Sequence, residues 1–278
     1  MKPKYCIING VQLDIDKAGI GVNDLALQRG YGIFDFFKII DNKPVFVQFH
    51  LDRFYRSASG MHLTVKYSRE ELISQVLQLV AANDLPVSGV KLTLTGGYSS
   101  DGFTLGEPNL IITQSALPSY RDINGNGISI ITWEHQRQMP EVKTIDYLMA
   151  VYLQPVLKER NAQDVLYHNN GLLSECPRSN IFIVNRNGQV LTPANNVLAG
   201  ITRGRILELQ TDIDIRPADI TLEDLDNAAE VFITSSTKNI LPVTRINNRV
   251  IGDGQPGFIT QRLAGLLVEQ IHLSTKGS

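Results

Sequence analysis

Runs of alternating or consecutive apolar residues bounded by turn signals predict β-strands through the first hundred residues. Two short strands flank Asn9–Gly10, a dipeptide favoured in hairpin turns, and a longer β-rich aromatic run covers residues 30–39. Asp41–Lys43 is expected to turn the chain into a further apolar run, Pro44–Gln48. Additional strands are predicted at residues 91–95 and 109–113.

Two helices are predicted in the same part of the chain. Leu51, Phe54 and Ala58 recur at helical spacing and indicate one apolar helix face. Ser68 and Glu71 have the spacing of a capping box, in which each side chain binds the other residue's backbone N–H, so a second helix is expected to begin there.

The second half of the chain alternates strand, hairpin and helix patterns. Hairpins are predicted around Asn169–Gly171 and Arg186–Gly188, because each turn is flanked by apolar strand-like segments. Single strands are predicted at residues 128–133 and 230–234, and helices at residues 148–160, 202–209 and 256–271.

A cluster of Pro, Ser, Asp, Asn and Gly between residues 116 and 127 marks a change in composition. It predicts two domains, residues 1–117 and 127–278, joined by a linker at residues 118–126. Helices mixed with mostly antiparallel strands in both halves predict the α+β class.

Composition narrows the class of function. With 278 residues, 43% of them hydrophobic and 19% charged, the chain is expected to bury a substantial core. A formal net charge of −2 without runs of like charge favours neither nucleic acid nor a membrane surface as partner. Cys6 and Cys176 have neither metal-ligand nor disulfide-framework spacing, and the N-terminus lacks the apolar core of a signal peptide. We therefore expect a cytoplasmic protein that binds no metal.

Two charged residues are candidates for chemistry in the second half. Lys143 carries an amine that can bond a carbonyl cofactor, although most lysines are solvated surface residues. Glu175 lies between apolar segments, where a buried carboxylate needs a cationic partner such as a protonated ring nitrogen. A solvated glutamate at a hairpin edge is an equally good interpretation from the residues alone.

Other segments are candidates for anion binding. Gly200-Ile201-Thr202 precedes a predicted helix, whose first N–H groups and threonine hydroxyl suit a phosphate, although such turns are common. Residues 234–237 offer clustered hydroxyls, and Arg53 offers a guanidinium that can bind phosphate through two nitrogens. Tyr147 follows Lys143 by four residues, so one helical turn would put both side chains on the same side.

Taken together, these motifs resemble those of the class IV aminotransferases (fold type IV enzymes), the group of branched-chain aminotransferases, D-amino-acid aminotransferases and aminodeoxychorismate lyases. The resemblance extends over nearly the whole chain and is densest between Lys143 and Pro242. It rests on the segments His50–Arg53, Lys143–Tyr147, Glu175–Phe182, Leu198–Arg203 and Glu230–Thr237.

The resemblance implies pyridoxal 5′-phosphate as cofactor and a role for each matching residue. Lys143 is implied to form the imine with the cofactor and to carry the proton in catalysis, and Glu175 to pair with the pyridine nitrogen. The other residues implied or expected to contact the cofactor are Arg53, Tyr147, Leu198, Gly200, Ile201, Thr202, Ser235 and Ser236. The family also implies a small N-terminal domain, a larger C-terminal pseudo-barrel, and a site at their boundary completed by a homodimer partner.

The substrate is less narrowly indicated, with Phe34, Arg29 and Thr237 as the candidate substrate-binding residues. Tyr147 and Phe34 match the branched-chain type, which makes transfer between a branched-chain-like amino acid and a 2-oxo acid the favoured function. Residues 167–171 and 192–196 resemble the D-amino-acid type instead, but glycine replaces its carboxylate-binding arginine in residues 92–97.

Arg29 stands where the branched-chain pattern has an aromatic residue, so its role stays open. The lyase alternative draws on residues 174–176, but Asp35 replaces the small hydroxyl residue expected there. A non-catalytic binding protein of the same fold is a remote alternative.

Overall fold

The computed structural model describes residues 2–117 and 127–276. The chain forms two compact units, the first made of residues 2–117, 142–146 and 271–276 and the second of residues 127–141 and 147–270. The predicted linker, residues 118–126, lies outside the described residues.

The first unit contains an antiparallel sheet with the strand order β2-β1-β6-β5-β3-β4. Its strands are β1 (Tyr5–Ile8), β2 (Val11–Asp14), β3 (Gly32–Ile40), β4 (Lys43–Pro44), β5 (Ser88–Thr95) and β6 (Leu110–Ala116). Three helices accompany the sheet: α1 (Leu25–Arg29), α2 (Val47–Gly60) and α3 (Arg69–Asn83). The apolar sides of α2 and α3 pack with Ile33, Phe37 and Ile39 of β3 in one core.

Most local predictions for this unit are confirmed. The β1–β2 hairpin pairs Ile8 with Val11 across the predicted turn. The Ser68 and Glu71 side chains form the predicted capping box at the start of α3. The apolar run from Pro44 to Gln48 is not a single element, because β4 ends at Pro44 and α2 begins at Val47.

Residues 142–146 lie along the edge of β3 and belong to the first unit. Thr144 forms an antiparallel bridge with Ile33. The backbone N–H of Phe34 donates to the carbonyl of Lys143 at 2.9 Å, and that of Ile145 to Gly32 at 3.0 Å. The sequence-based boundaries group this segment with residues 127–278, whereas its backbone pairing is with the first sheet.

The second unit is built on a ten-stranded sheet with the main order β13-β12-β11-β14-β15-β7-β8-β9, β10 beside β11 and β16 beside β15. The strands are β7 (Ile128–Glu134), β8 (Asp164–Asn169), β9 (Leu172–Leu173), β10 (Glu175–Cys176), β11 (Ser179–Val184), β12 (Val190–Pro193), β13 (Ile215–Ala218), β14 (Glu230–Ser235), β15 (Asn239–Ile246) and β16 (Arg249–Val250). Both predicted hairpins are present, as β8–β9 and β11–β12. Their apolar residues, with those of β14 and β15, form the core of this unit.

Short helices connect these strands. The predicted helix over residues 148–160 is two helices, α4 (Leu148–Tyr152) and α5 (Gln154–Glu159), which form the crossover between the parallel strands β7 and β8. The remaining helices are α6 (Ile201–Leu207), α7 (Leu222–Asp226) and α8 (Phe258–Lys276). Within the described residues, no helix has the length and apolar character needed to cross a bilayer. The α+β prediction is confirmed.

Candidate active site

Lys143 is held by the first unit, on the edge segment of β3. Its backbone N–H donates to Ser57 Oγ at 3.1 Å. Its Nζ lies 4.5 Å from the centroid of the Phe34 ring. This contact follows from the pairing, because residues opposite each other in adjacent strands project their side chains from the same face.

Directly behind Phe34, on the other face of β3, Asp35 is fully buried. Arg53 binds both oxygens of its carboxylate, Nε to Oδ2 and Nη2 to Oδ1, each at 2.8 Å. His50 Nδ1 lies 2.7 Å from Asp35 Oδ1, and since an ionised carboxylate can only accept, His50 is the donor. Asp35 therefore fixes the orientation of the Arg53 guanidinium.

The pKa values of this cluster follow from burial and pairing. Burial alone raises the pKa of Asp35, but the charge and hydrogen bonds of Arg53, aided by His50, hold it well below its usual range. Burial lowers the pKa of His50 against the opposing effect of Asp35, and Arg53 and Lys143 lower it further. Near neutral pH the cluster contains an ionised Asp35, a cationic Arg53 and a neutral His50.

Glu175 is the acid of the second unit, and only 5% of it is exposed. Arg137 Nε donates to its Oε1 at 2.9 Å. The other oxygen, Oε2, accepts from the backbone N–H of Leu198 at 3.0 Å and from Asn180 Nδ2 at 3.4 Å. The alternative of a solvated hairpin glutamate is wrong, since β10 pairs with β11 and buries it.

The segment from Leu198 to Thr202 is tied to the same acid through Asn180. Asn180 Nδ2 donates to the Leu198 carbonyl at 2.9 Å. At Gly200, a Cβ atom would overlap Asn180 Oδ1, so this close approach requires glycine. Gly200 is the N-cap of α6. The first hydrogen bond of this helix is donated by the Gly204 N–H to the Gly200 carbonyl, so the N–H groups before Gly204 have no partner within the helix.

The predicted hydroxyl cluster lies at the end of β14. Ser235 Oγ is 3.1 Å from Thr237 Oγ1 and accepts the backbone N–H of Lys238 at 3.1 Å. Ser235, Ser236 and Thr237 are half-buried. The turn therefore presents hydroxyl groups at a fixed position in the second unit.

The positions of Tyr147 and Arg29 complete the account of the sequence-predicted residues. Tyr147 is the N-cap of α4, and Lys143 lies in the extended edge segment, so the prediction that one helical turn connects them is wrong. Arg29 is the last residue of α1 and donates through Nε to the Gly102 carbonyl at 2.9 Å.

Within each unit the structure brings part of the predicted set together. The first unit joins Lys143 to Phe34, and the second joins Glu175 to Leu198. The sequence-based candidates omit Asp35, His50, Arg137 and Asn180, which hold the predicted residues in place. Asp35 has a usable signal in the hydrophobic pattern, because it alternates with Ile33 and Phe37 on the buried face of β3, where a carboxylate needs a partner.

These residues fit the groups of pyridoxal phosphate. Lys143 supplies an amine beside an aromatic ring for the aldehyde, and Glu175 is a buried acid already paired with a cation, as a partner for a protonated ring nitrogen should be. Arg53, which Asp35 holds in place, supplies a cation for a phosphate. The N-terminus of α6 supplies backbone N–H donors for the same group.

Comparisons with known proteins identify the family. The family model described as amino-transferase class IV matches residues 32–246. A D-alanine aminotransferase of Listeria monocytogenes serotype 4b (strain F2365) is 31% identical over 277 residues, covering 95% of each chain. A putative branched-chain-amino-acid aminotransferase of Methanocaldococcus jannaschii is 30% identical over 269 residues, covering 92% of each chain.

Solved structures of aminotransferases have the same fold as this chain. The branched-chain aminotransferase from Thermoproteus uzoniensis with norvaline superposes with a TM-score of 0.87 at 26% identity, covering 98% of this chain and 96% of that one. A hypothetical aminotransferase from Mycobacterium tuberculosis in its PLP-bound form gives a TM-score of 0.83 at 21% identity, covering 96% and 98%, and so shows the shared fold. The chain belongs to the class IV aminotransferases, enzymes that use pyridoxal 5′-phosphate.

Proposed function

We propose that Lys143 is the amine that bonds the cofactor and Glu175 the acid that faces its ring nitrogen. The observation that carries this proposal is that the Glu175 carboxylate is buried and lies 2.8 Å from the Arg137 guanidinium. An opposite charge at this distance favours the charged form of a carboxyl group, the form that pairs with a protonated pyridine nitrogen. When bound, the cofactor supplies an aldehyde for the amine and a protonated ring that accepts the electrons released at the substrate Cα.

We assign the remaining contacts as follows. Arg53, Gly200, Ile201, Thr202, Ser235 and Ser236 bind the phosphate, Leu198 packs against the ring, and Tyr147 donates to the ring oxygen. Buried Thr202 at the start of α6 and the hydroxyl turn at the end of β14 support the phosphate assignment. Phe34, Arg29 and Thr237 are the proposed substrate contacts.

Lys143 then acts as the proton carrier of the reaction. With the cofactor and substrate bound, its neutral Nζ would remove the proton from the substrate Cα and, as an ammonium, would donate it at the carbon of the cofactor's aldehyde group, so one side chain would serve as base and then as acid. The Phe34 ring next to Nζ limits the directions that the flexible lysine side chain can take. Turnover therefore depends on this amine rather than on a surface base.

The amino acid is proposed from the relatives. Several are named D-alanine aminotransferase, including one 31% identical over 95% of this chain, which makes D-alanine the first candidate substrate. A branched-chain amino acid is the second candidate, because Phe34 lies beside Lys143 and a relative 30% identical is named a putative branched-chain enzyme. In both cases the acceptor is a 2-oxo acid.

A half-reaction screen tests the function. Cofactor-loaded protein is mixed with D-alanine, L-valine, L-leucine or aminodeoxychorismate, and conversion of the cofactor to its amine form is followed by absorbance. We expect conversion with D-alanine or a branched-chain amino acid, and a 2-oxo acid should reverse it. Release of pyruvate from aminodeoxychorismate without conversion by any amino acid would contradict the proposal.

We also propose that the protein is a homodimer, as the family resemblance implies, and that it is cytoplasmic, as its composition favours. One chain has a mass of 30.9 kDa, and light scattering on the cofactor-loaded protein should give twice that mass. Fractionation of the source cells should recover the protein with the cytoplasmic contents. A monomer in scattering or a membrane-pelleted protein would contradict the corresponding part.

A further inference from the structure

One face of the first sheet carries several lysines around Phe34. Side chains alternate along β3, so Phe34, Phe36 and Lys38 share the face opposite Asp35. Antiparallel pairing of Phe34 with Thr93 and of Phe36 with Lys91 places the β5 residues on that same face. We call these residues, with Lys143 at the edge, the Phe34 face.

Two ammonium groups contact the same aromatic ring on this face. Lys91 Nζ lies 5.4 Å from the Phe34 centroid and Lys143 Nζ lies 4.5 Å from it. The two nitrogens are therefore separated by no more than the sum of these distances. The amino acids and 2-oxo acids of an aminotransferase carry an α-carboxylate one bond from the reacting carbon, so the same region must accommodate an anion.

Lys91 is available to such an anion. It is exposed, whereas Lys38 on the same face is buried, with 8% of it exposed. Within residues 2–117 and 127–276, no hydrogen bond or ion pair engages the Lys91 ammonium. The residues that β3 and β5 place on the Phe34 face include no carboxylate, since Asp35 projects to the opposite side.

The charge balance of the face changes when Lys143 takes part in the reaction. A lysine that has bonded a carbonyl, or that acts as a base, no longer offers a free ammonium for binding an anion. Lys91 then remains the exposed cation beside the Phe34 ring. Its position on a strand, rather than on a loop, fixes its Cα relative to that of Phe34.

We propose that Lys91 is a substrate-binding residue whose ammonium pairs with the α-carboxylate of the amino acid and of the 2-oxo acid. This assignment rests on the proposed function of Lys143. It adds a carboxylate-binding residue to the candidates found from the sequence, on the same face as the reacting amine. A charge-assisted hydrogen bond of this kind contributes about tenfold or more to binding.

The test compares Lys91→Met, which keeps the length but removes the charge, with Lys91→Arg, which keeps the charge. Lys17→Met is the matched control, because Lys17 is an exposed lysine in a turn of the same unit. Two quantities are measured on the cofactor-loaded proteins: KM and kcat for pyruvate with a fixed amino donor, and the Kd of propionate, an unreactive carboxylate, by calorimetry.

For Lys91→Met we expect KM for pyruvate and Kd for propionate to rise by about tenfold, with kcat changing less. Lys91→Arg and Lys17→Met should stay within about twofold of the unsubstituted protein. Unchanged propionate affinity in Lys91→Met, or an equal loss in Lys91→Arg accompanied by a lower Tm, would overturn the assignment. The two possible failures can be distinguished. If the unsubstituted protein converts no amino acid, the proposed function is wrong; if it does convert one and Lys91→Met behaves like it, only the Lys91 assignment is wrong.

Discussion

Arg137 and Glu175 form an ion pair in the interior of the second unit, with Arg137 Nη2 2.8 Å from Glu175 Oε1. Only 7% of the Glu175 side chain and 18% of the Arg137 side chain are exposed. The same guanidinium also donates to the Pro140 carbonyl. Arg137 therefore links the acid proposed to face the cofactor to the chain just before Lys143.

Removing Arg137 should destabilise the protein, because Glu175 would be left buried without its cation. We expect Arg137→Met to lower the free energy of unfolding by about 3 kcal/mol in urea denaturation. Arg178→Met is the control, since Arg178 is exposed in the adjacent turn, and it should change the stability by less than about 0.5 kcal/mol. Equal effects of the two substitutions would show that the ion pair contributes nothing specific.

Asp35 orients Arg53, so its loss should affect both stability and cofactor binding. Asp35→Asn removes the charge that compensates buried Arg53 and should cost about 3 kcal/mol in urea denaturation. Titration with pyridoxal phosphate should also show weaker binding, because the guanidinium loses its fixed orientation. The matched control is Asp41→Asn, at an exposed turn position with φ 51°, a conformation that asparagine adopts readily. Normal cofactor affinity in Asp35→Asn would contradict the proposed role of Arg53.

Stability should depend on the protonation of His50 in mildly acidic solution. Its pKa in the folded state is lower than the ordinary value of 6.5, chiefly because of burial, so the unfolded chain binds the proton more readily. The corresponding stabilisation is complete above pH 6.5 and is lost as the pH falls toward the lower folded pKa. Between about pH 7.5 and 5.5, the urea midpoint of unfolding should fall less for His50→Asn than for the unsubstituted protein. For His62→Asn, at an exposed position, the midpoint should fall by as much as it does for the unsubstituted protein. The same slope in all three proteins would contradict this account.

Two glycines of the α6 region provide a contrast in packing. A Cβ at Gly200 would displace the Asn180 side chain, which donates to both Glu175 and the Leu198 carbonyl. At Gly204, inside α6, the added Cβ has no contact within 4 Å among the described residues, apart from its chain neighbours and the backbone of its own helix. Gly200→Ala should therefore lower Tm and weaken cofactor binding, whereas Gly204→Ala should raise stability by about 0.5–1 kcal/mol. The prediction is wrong if Gly200→Ala is as stable as Gly204→Ala.

Local features of the fold follow from residue patterns because their causes are local. The capping box of α3 and the hairpins at Gly10, Gly171 and Gly188 depend on residues a few positions apart. The start of α2 differs from the prediction because Val47 continues an apolar run that resembles a strand. Hydrophobic pattern alone does not distinguish a short buried strand from the first turn of a buried helix.

The site is only partly predictable for a different reason. Motifs point to Lys143 and Glu175, but the partners that hold the site residues come from distant positions. Arg137 is 38 residues from Glu175, and Arg53 is 18 residues from Asp35. The edge pairing of Thr144 with Ile33 joins distant segments of the chain, and no local pattern encodes it.

The central claim is that the Lys143 amine bonds the cofactor, and it is tested most directly by trapping that bond. Cofactor-loaded protein is reduced with borohydride, digested, and analysed by mass spectrometry, with Lys143→Ala as the matched control. We predict a reduced pyridoxyl phosphate group on the peptide containing Lys143, and no stable adduct or turnover in a folded Lys143→Ala protein. Modification of a different lysine, such as Lys38 or Lys91, or single-turnover conversion by Lys143→Ala at a near-normal rate, would contradict the account.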